Sequence, residues 1–130
     1  MITRNGKAQE RKILVVEDLL YVVKCIERIL KEEGYVVHTA LSGEEALERV
    51  GKIKPDIITI DHRLPDMTGF GLIREIHNLM GKNKLRIIYI SAVYERETIE
   101  TALGLGVNSY LIKPVERERL LATVREVLKD

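Results

Sequence analysis

No stretch of this chain approaches the roughly 20 consecutive apolar residues that a membrane-spanning helix requires. The amino end also lacks the charged-then-apolar pattern of a secretory signal. The expected location is therefore the cytoplasm. Cysteine occurs once, as Cys25, which excludes an internal disulfide and fits a reducing compartment. Nor is one sign of charge in excess: 21 basic residues face 20 acidic ones, and a net charge of +1 gives no general case for nucleic acid. No repeat or low-complexity segment is present. What is left, at 130 residues with 45% apolar and 32% charged, is one globular domain able to bury roughly two thirds of its unfolded surface. The first twelve residues carry Arg4, Lys7, Arg11 and Lys12 against Glu10, and residues 1–11 are expected to be a flexible tail before a domain spanning 12–130.

The stretch around which the domain is organised runs from Asp56 to Gly69. Ile57-Ile58-Thr59-Ile60 is a short β-branched run between Pro55 and Pro65, the signature of a strand covered on both faces, and it ends on Asp61. Lys12 to Val16 is a second such run, ending on Glu17-Asp18. From Leu19 the period changes, with Val22, Ile26, Ile29 and Leu30 marking a helix that stops at Gly34. Cys25 borders that stripe and reads as a small core residue. Tyr35 to Ala40 is a strand, on which His38 is expected to be partly exposed. Ser42-Gly43-Glu44-Glu45 forms a capping box before a helix with Ala46, Leu47 and Val50 inward, closed by Gly51 to Pro55. Leu72, Ile73, Ile76, Leu79 and Met80 define the next helix, which ends near Gly81. Leu85 to Ile90 is a strand ending on Ser91-Ala92. Residues 95–105 form a helix with a weak apolar stripe, and Val107 to Ile112 is the last strand, ending on Lys113-Pro114. The final helix, from about Glu116, buries Leu120, Leu121, Val124 and Leu128. Five strands alternating with five helices predict an α/β domain, a parallel sheet with helices on both faces.

Four strand ends then deliver Glu17-Asp18, Asp61, Ser91 and Lys113 to one edge, where open α/β sheets place their ligands. Three acids close together repel unless they share a cation, and all-oxygen ligation suits a hard divalent ion, Mg2+ by preference. Lys113 and Ser91 supply the donors that a phosphoryl group's oxygens need. A carboxylate between metal and lysine is placed as a nucleophile, and Asp61, on the central strand before an irregular loop, is the candidate. The competing explanation, that these acids merely cap the following helices, would serve for one acid. It does not account for three acids with a lysine and a hydroxyl.

The pattern Val15-Val16-Glu17-Asp18, Asp61-x-x-Leu64-Pro65-x-Met67-x-Gly69, Ile90-Ser91-Ala92 and Tyr110-Leu111-x-Lys113-Pro114 resembles the receiver domain of bacterial two-component response regulators, over residues 12–129. The resemblance implies a flavodoxin-like three-layer sandwich with strand order 2-1-3-4-5, the order that flavodoxin shares with a chemotaxis receiver. It implies that Asp61 is the phosphoacceptor for a phosphohistidine of a sensor kinase or phosphotransfer protein. It further implies that Asp18, Asp61 and the backbone carbonyl of Arg63 ligate Mg2+, or Mn2+ in its place, with Glu17 acting directly or through water. Lys113 and Ser91 would contact the phosphoryl oxygens, Tyr110 would be the aromatic switch, and the Lys113-Pro114 peptide would be cis. Such a protein is a phosphoacceptor that promotes its own phosphorylation and dephosphorylation rather than an enzyme. Phosphorylation, adding about −1.5 to −2 charge, would draw Ser91 in and let Tyr110 rotate inward. That alters the face formed by residues 95–130, which would contact a downstream protein or output domain or a second copy.

Several positions depart from the pattern. Glu17 stands where many members have aspartate, Thr68 where an acid is frequent, and Gly71 loosens the following helix. The bulky Arg63 and Val93 flank the site at positions that influence phosphoryl lifetime in the family. Other readings are a degenerate receiver serving only as an interaction module, a phosphatase of the haloacid-dehalogenase type, and a flavodoxin. The phosphatase normally has a second aspartate where this chain has Arg63. The flavodoxin needs a phosphate-cradling loop that Asp18-Leu19-Leu20-Tyr21 does not provide. No output domain is read after Asp130, so a stand-alone receiver and a fragment of a longer regulator are both open.

Overall fold

The computed structural model describes residues 10–129. Of the tail expected at 1–11, residues 1–9 lie outside the described part. Ten elements alternate: β1 (Lys12–Val16), α1 (Leu20–Glu32), β2 (Val36–Ala40), α2 (Gly43–Ile53), β3 (Ile57–Asp61), α3 (Gly69–Met80), β4 (Arg86–Ser91), α4 (Arg96–Gly104), β5 (Ser109–Ile112) and α5 (Arg117–Leu128). All strand pairs are parallel and the sheet order is β2-β1-β3-β4-β5. Every residue of β3 is buried, as a central strand with helices on both faces requires.

Two apolar layers sandwich this sheet. On one face Ile13, Val15, Ile57, Ile88 and Ile90 pack against Ile26 and Leu30 of α1 and Leu120, Leu121 and Val124 of α5. On the other, Leu14, Val16, Ile58, Ile60 and Ile87 pack against Ala46 and Val50 of α2, Leu72, Ile73 and Ile76 of α3, and Ala102 of α4. Ala102 is the only buried residue of α4, so that helix is held by little apolar contact. Among the described residues no helix is long and apolar enough to cross a membrane.

Four local expectations require correction. The buried stripe of α1 is Val23, Ile26 and Leu30, with Val22 and Ile29 half-buried. Cys25 lies roughly 130° around the helix from that centre, at 100° per residue, and is exposed rather than a core residue. The end of α2, by contrast, falls within the expected Gly51 to Pro55: the helix runs to Ile53 and closes on Lys54 in the left-handed region, just before Pro55. In α3 only Met80 of the last turn keeps contact with the core, and Leu79 is 61% exposed. At the start of α2, Ser42 Oγ accepts the Glu45 N–H (3.1 Å) as expected, but Glu45 reaches back to the Leu41 N–H (2.6 Å) instead of closing the box on residue 42.

Two glycines are required by geometry. Gly34, at φ +99°, turns the chain out of α1 while the Tyr35 N–H bonds the Leu30 carbonyl (3.2 Å). Gly69 begins α3 directly beneath the site. A Cβ there would stand 2.6 Å from the Tyr89 hydroxyl and 2.7 Å from the Asp61 carbonyl oxygen, and neither the buried ring nor the strand backbone can yield cheaply. Gly69→Ala is therefore expected to destabilise the fold by about 1–3 kcal/mol in urea unfolding, as overpacking does. An unchanged midpoint would show that the loop has room.

Candidate functional site

Parallel pairing sets the site by register. Val16 pairs with Ile60, Asp61 with Ile90, and Ser91 with Ile112. The residues at or just past the ends of β1, β3, β4 and β5 therefore stand level across the carboxyl edge. The chain runs from β1 outward to β2 and then back to β3, so the edge between β1 and β3 is the topological switch point, where no crossover covers the crevice. An open cleft of about 380 Å³ lies there, lined among others by Glu17, Asp18, Asp61, Ser91, Val93 and Lys113. Every side chain anticipated from the strand ends meets in that one cleft.

Its electrostatics centre on Lys113. The ammonium lies 2.5 Å from Asp61 Oδ1 and 3.1 Å from Glu17 Oε1, bridging two carboxylates that are 6% and 2% exposed. Burial disfavours charge on Lys113, but the hydrogen bonds to Asp61 and Glu17 outweigh it and hold the ammonium's pKa above its ordinary value. Burial also pushes the Glu17 carboxyl up, opposed by the Leu19 N–H that donates to its second oxygen (3.2 Å) and by Lys113. The other Asp61 oxygen accepts the Arg63 N–H (3.0 Å).

One ligand oxygen each from Glu17, Asp18 and Asp61 can lie within 4.8 Å of one another, two of the residues being buried and Asp18 exposed. Three acids against one ammonium leave a formal excess of two negative charges, and the donors are all oxygen. The residues present therefore fit a hard divalent cation better than a thiophilic or imidazole-seeking one.

Ser91 is 1% exposed, and its Oγ accepts the Val93 N–H (2.9 Å), which leaves the hydroxyl proton to be donated. Val93 in turn offers its carbonyl to the Tyr110 hydroxyl (2.6 Å). The Tyr110 ring already packs against the core, with its centroid 5.6 Å from that of Tyr89. The Lys113-Pro114 peptide is cis.

Pattern reasoning missed an aromatic group on the other side of Asp61. Tyr89, wholly buried in β4, is stacked on Phe70 (5.0 Å between centroids) and shares a hydrogen bond with His62 Nδ1. Burial pushes the Tyr89 hydroxyl strongly up and the His62 imidazole down, disfavouring the charged form of each partner. The available signal was a tyrosine two residues before Ser91 and therefore on the same face of β4. Also missed was Asp66, whose carboxylate reaches the amino end of α2; a lone loop aspartate gives no hint of that partner.

These features agree with what the chain is similar to. The family description "Response regulator receiver domain" matches residues 13–125. The chemotaxis protein CheY of Treponema pallidum is 35% identical over 121 residues, which is 91% of this chain and 83% of that protein. The chain spans only about half the length of other regulators it matches, such as a cell cycle response regulator CtrA of Brucella ovis, where it covers 50% at 32% identity. Among solved structures, Vibrio cholerae CheY4 superposes with a TM-score of 0.87 at 29% identity, covering 92% of this chain and all of that one. A CheX-CheY-BeF3-Mg2+ complex from Borrelia burgdorferi gives 0.86 at 28%, covering 92% and 90%. With the flavodoxin-like sheet order and the acidic cleft already in place, the chain belongs to the response regulator receiver domain family, whose general function is that of a phosphorylation-activated signalling switch.

Proposed function

We propose that Asp61 is the residue phosphorylated, with residues 12–130 as the receiver unit. The observation that carries this reading is Lys113 held 2.5 Å from Asp61 Oδ1 in a cleft that also contains Asp18 and Ser91. In the reaction a carboxylate oxygen of Asp61 attacks phosphorus in line with the phosphohistidine P–N bond. That bond breaks as the P–O bond forms, and the imidazole leaves. Lys113 neutralises the attacking carboxylate beforehand and then pairs with the phosphoryl oxygens. Ser91 donates its free hydroxyl proton to another of those oxygens while keeping the Val93 N–H. Asp18 and Asp61, with Glu17 and the Arg63 carbonyl, would hold Mg2+, which supplies charge neutralisation at the phosphoryl oxygens when bound.

The signal then passes along Ser91, Val93 and Tyr110. Because Tyr110 is already packed inward, phosphorylation would fix the arrangement that this ring occupies rather than create it. A change of Ser91 alters the Val93 backbone, whose carbonyl holds the Tyr110 hydroxyl (2.6 Å). The face of residues 95–130 would thereby change its fit to a downstream protein, output domain or second copy. The domain would act in the cytoplasm with a sensor histidine kinase or phosphotransfer protein as donor. Loss of the phosphoryl group by its own hydrolysis would reset it. Arg63 and Val93 flank the cleft where water must enter.

Three outcomes are expected. Intact-mass measurement after acetyl phosphate and Mg2+ should show a phosphoryl adduct, absent in Asp61→Asn and absent with chelator; an adduct persisting in Asp61→Asn would move the acceptor elsewhere. Lys113→Met should slow labelling at least about 10-fold and lower stability by about 1–3 kcal/mol. That range is discounted from a fully buried pair because the lysine is 27% exposed. Labelling at the parental rate would remove the lysine from the reaction. Replacing Arg63 and Val93 together by alanine should shorten the adduct's half-life by about 3-fold or more, equivalent to about 0.7 kcal/mol of barrier; an unchanged half-life excludes them as shields.

A further inference from the structure

The loop between β3 and α3 carries Arg63, so the site depends on where that loop stands. Within the loop the Gly69 N–H bonds the His62 carbonyl (2.8 Å), Arg63 bridges Thr68, and the Leu64 N–H bonds the Met67 carbonyl (3.2 Å). Residues 62–69 therefore form a narrow hairpin with Pro65 and Asp66 at its tip. Such a hairpin, anchored only at its base, would let its tip swing.

The tip is anchored elsewhere in the fold. Asp66 Oδ1 accepts the Gly43 N–H and Oδ2 accepts the Glu44 N–H, each at 2.9 Å. A carboxylate at the amino end of a helix also meets the positive end of its dipole. Beside it Met67 packs on Gly43 so closely that a Cβ there would overlap the thioether. The hairpin thus docks on α2 at two points, one polar and one apolar. The helix has a cap of its own as well, since Ser42 Oγ takes the Glu45 N–H (3.1 Å). Two of its remaining free N–H groups go to a side chain more than 20 residues away in sequence.

We propose that Asp66 is a positioning residue for the phosphoacceptor site. By fastening the hairpin tip to the first turn of α2, it holds the 63–68 bridge, and through it the Arg63 amide that donates to Asp61 Oδ2 (3.0 Å) and the Arg63 carbonyl. The consequence for the cation rests on the reading of the cleft given above. The consequence for the loop does not. Capping of α2 alone would make Asp66 and Ser42 equivalent, because both serve the same helix end; a positioning role makes them differ.

The test compares the full chain with Asp66→Ala, Asp66→Asn and Ser42→Ala. Global stability is followed in urea, Mg2+ affinity by calorimetry, and amide hydrogen exchange at residues 62–69 without metal. Both alanine variants should lose similar stability. Asp66→Ala alone should weaken Mg2+ binding about 10-fold, the scale on which residues that orient metal ligands act. It should also speed exchange of the Arg63 amide at least about 10-fold. Asp66→Asn, with one acceptor oxygen, should fall between Asp66→Ala and the parent. Parental exchange in Asp66→Ala, or equal effects in Ser42→Ala, would overturn the proposal. A parent that binds no Mg2+ would instead overturn the reading of the cleft, and the exchange data would still decide whether Asp66 holds the loop.

Discussion

The ammonium of Lys113 placed between the Glu17 and Asp61 carboxylates is the interaction on which the rest of the structure depends. Two carboxylates almost removed from water cannot stand side by side uncompensated, since each buried ion costs several kcal/mol to desolvate. The lysine resolves that conflict only in part, because a third acid, Asp18, adjoins the pair at the solvent edge. The site is therefore folded and yet still negatively charged, a charge that fits a cation and, under the proposed function, a phosphoryl group whose oxygens would take over the lysine. The parallel sheet makes this possible by bringing four strand ends level at a point that no crossover covers.

Around this centre the fold separates what must stay from what can move. Asp61 belongs to a fully buried strand, and the backbone after it is braced by Gly69 against Tyr89, by the His62–Tyr89 hydrogen bond and by Asp66 on α2. On the opposite side the chain from Ser91 through Val93 to Tyr110 leads to α4, which has one buried residue. A helix with so little apolar contact opens or shifts at lower cost than its neighbours. Leu103 and Ile112, within 95–130, and the preceding Tyr94 are exposed. The architecture thus places rigidity around Asp61 and compliance toward the face formed by 95–130.

Much of this was legible in the sequence, because buried parallel strands leave short β-branched runs and each of the four that build the cleft leads into a residue with chemistry. The alternation set the element order, and the acids, hydroxyl and lysine at strand ends marked the cleft. What was not legible depended on contacts between distant segments or on small rotations. Cys25 departs from expectation because the inner stripe of α1 is centred on Val23 and Leu30 rather than on Val22 and Ile29. Leu79 keeps the spacing of a core residue but is exposed in a last turn where Met80 alone still meets the core. Asp66 and Tyr89 act on partners 22 or more residues away, and no local pattern announces a partner at that distance.

A crystal structure grown with Mg2+ and beryllium trifluoride tests the role of Asp61 and Lys113 most directly. The fluoride group is expected on the Asp61 carboxylate, with the cation beside Asp18 and Asp61 and the Lys113 ammonium turned from Asp61 to the new group. A fully formed adduct on another residue, or an Asp61 still paired only with Lys113 under saturating conditions, would contradict that role.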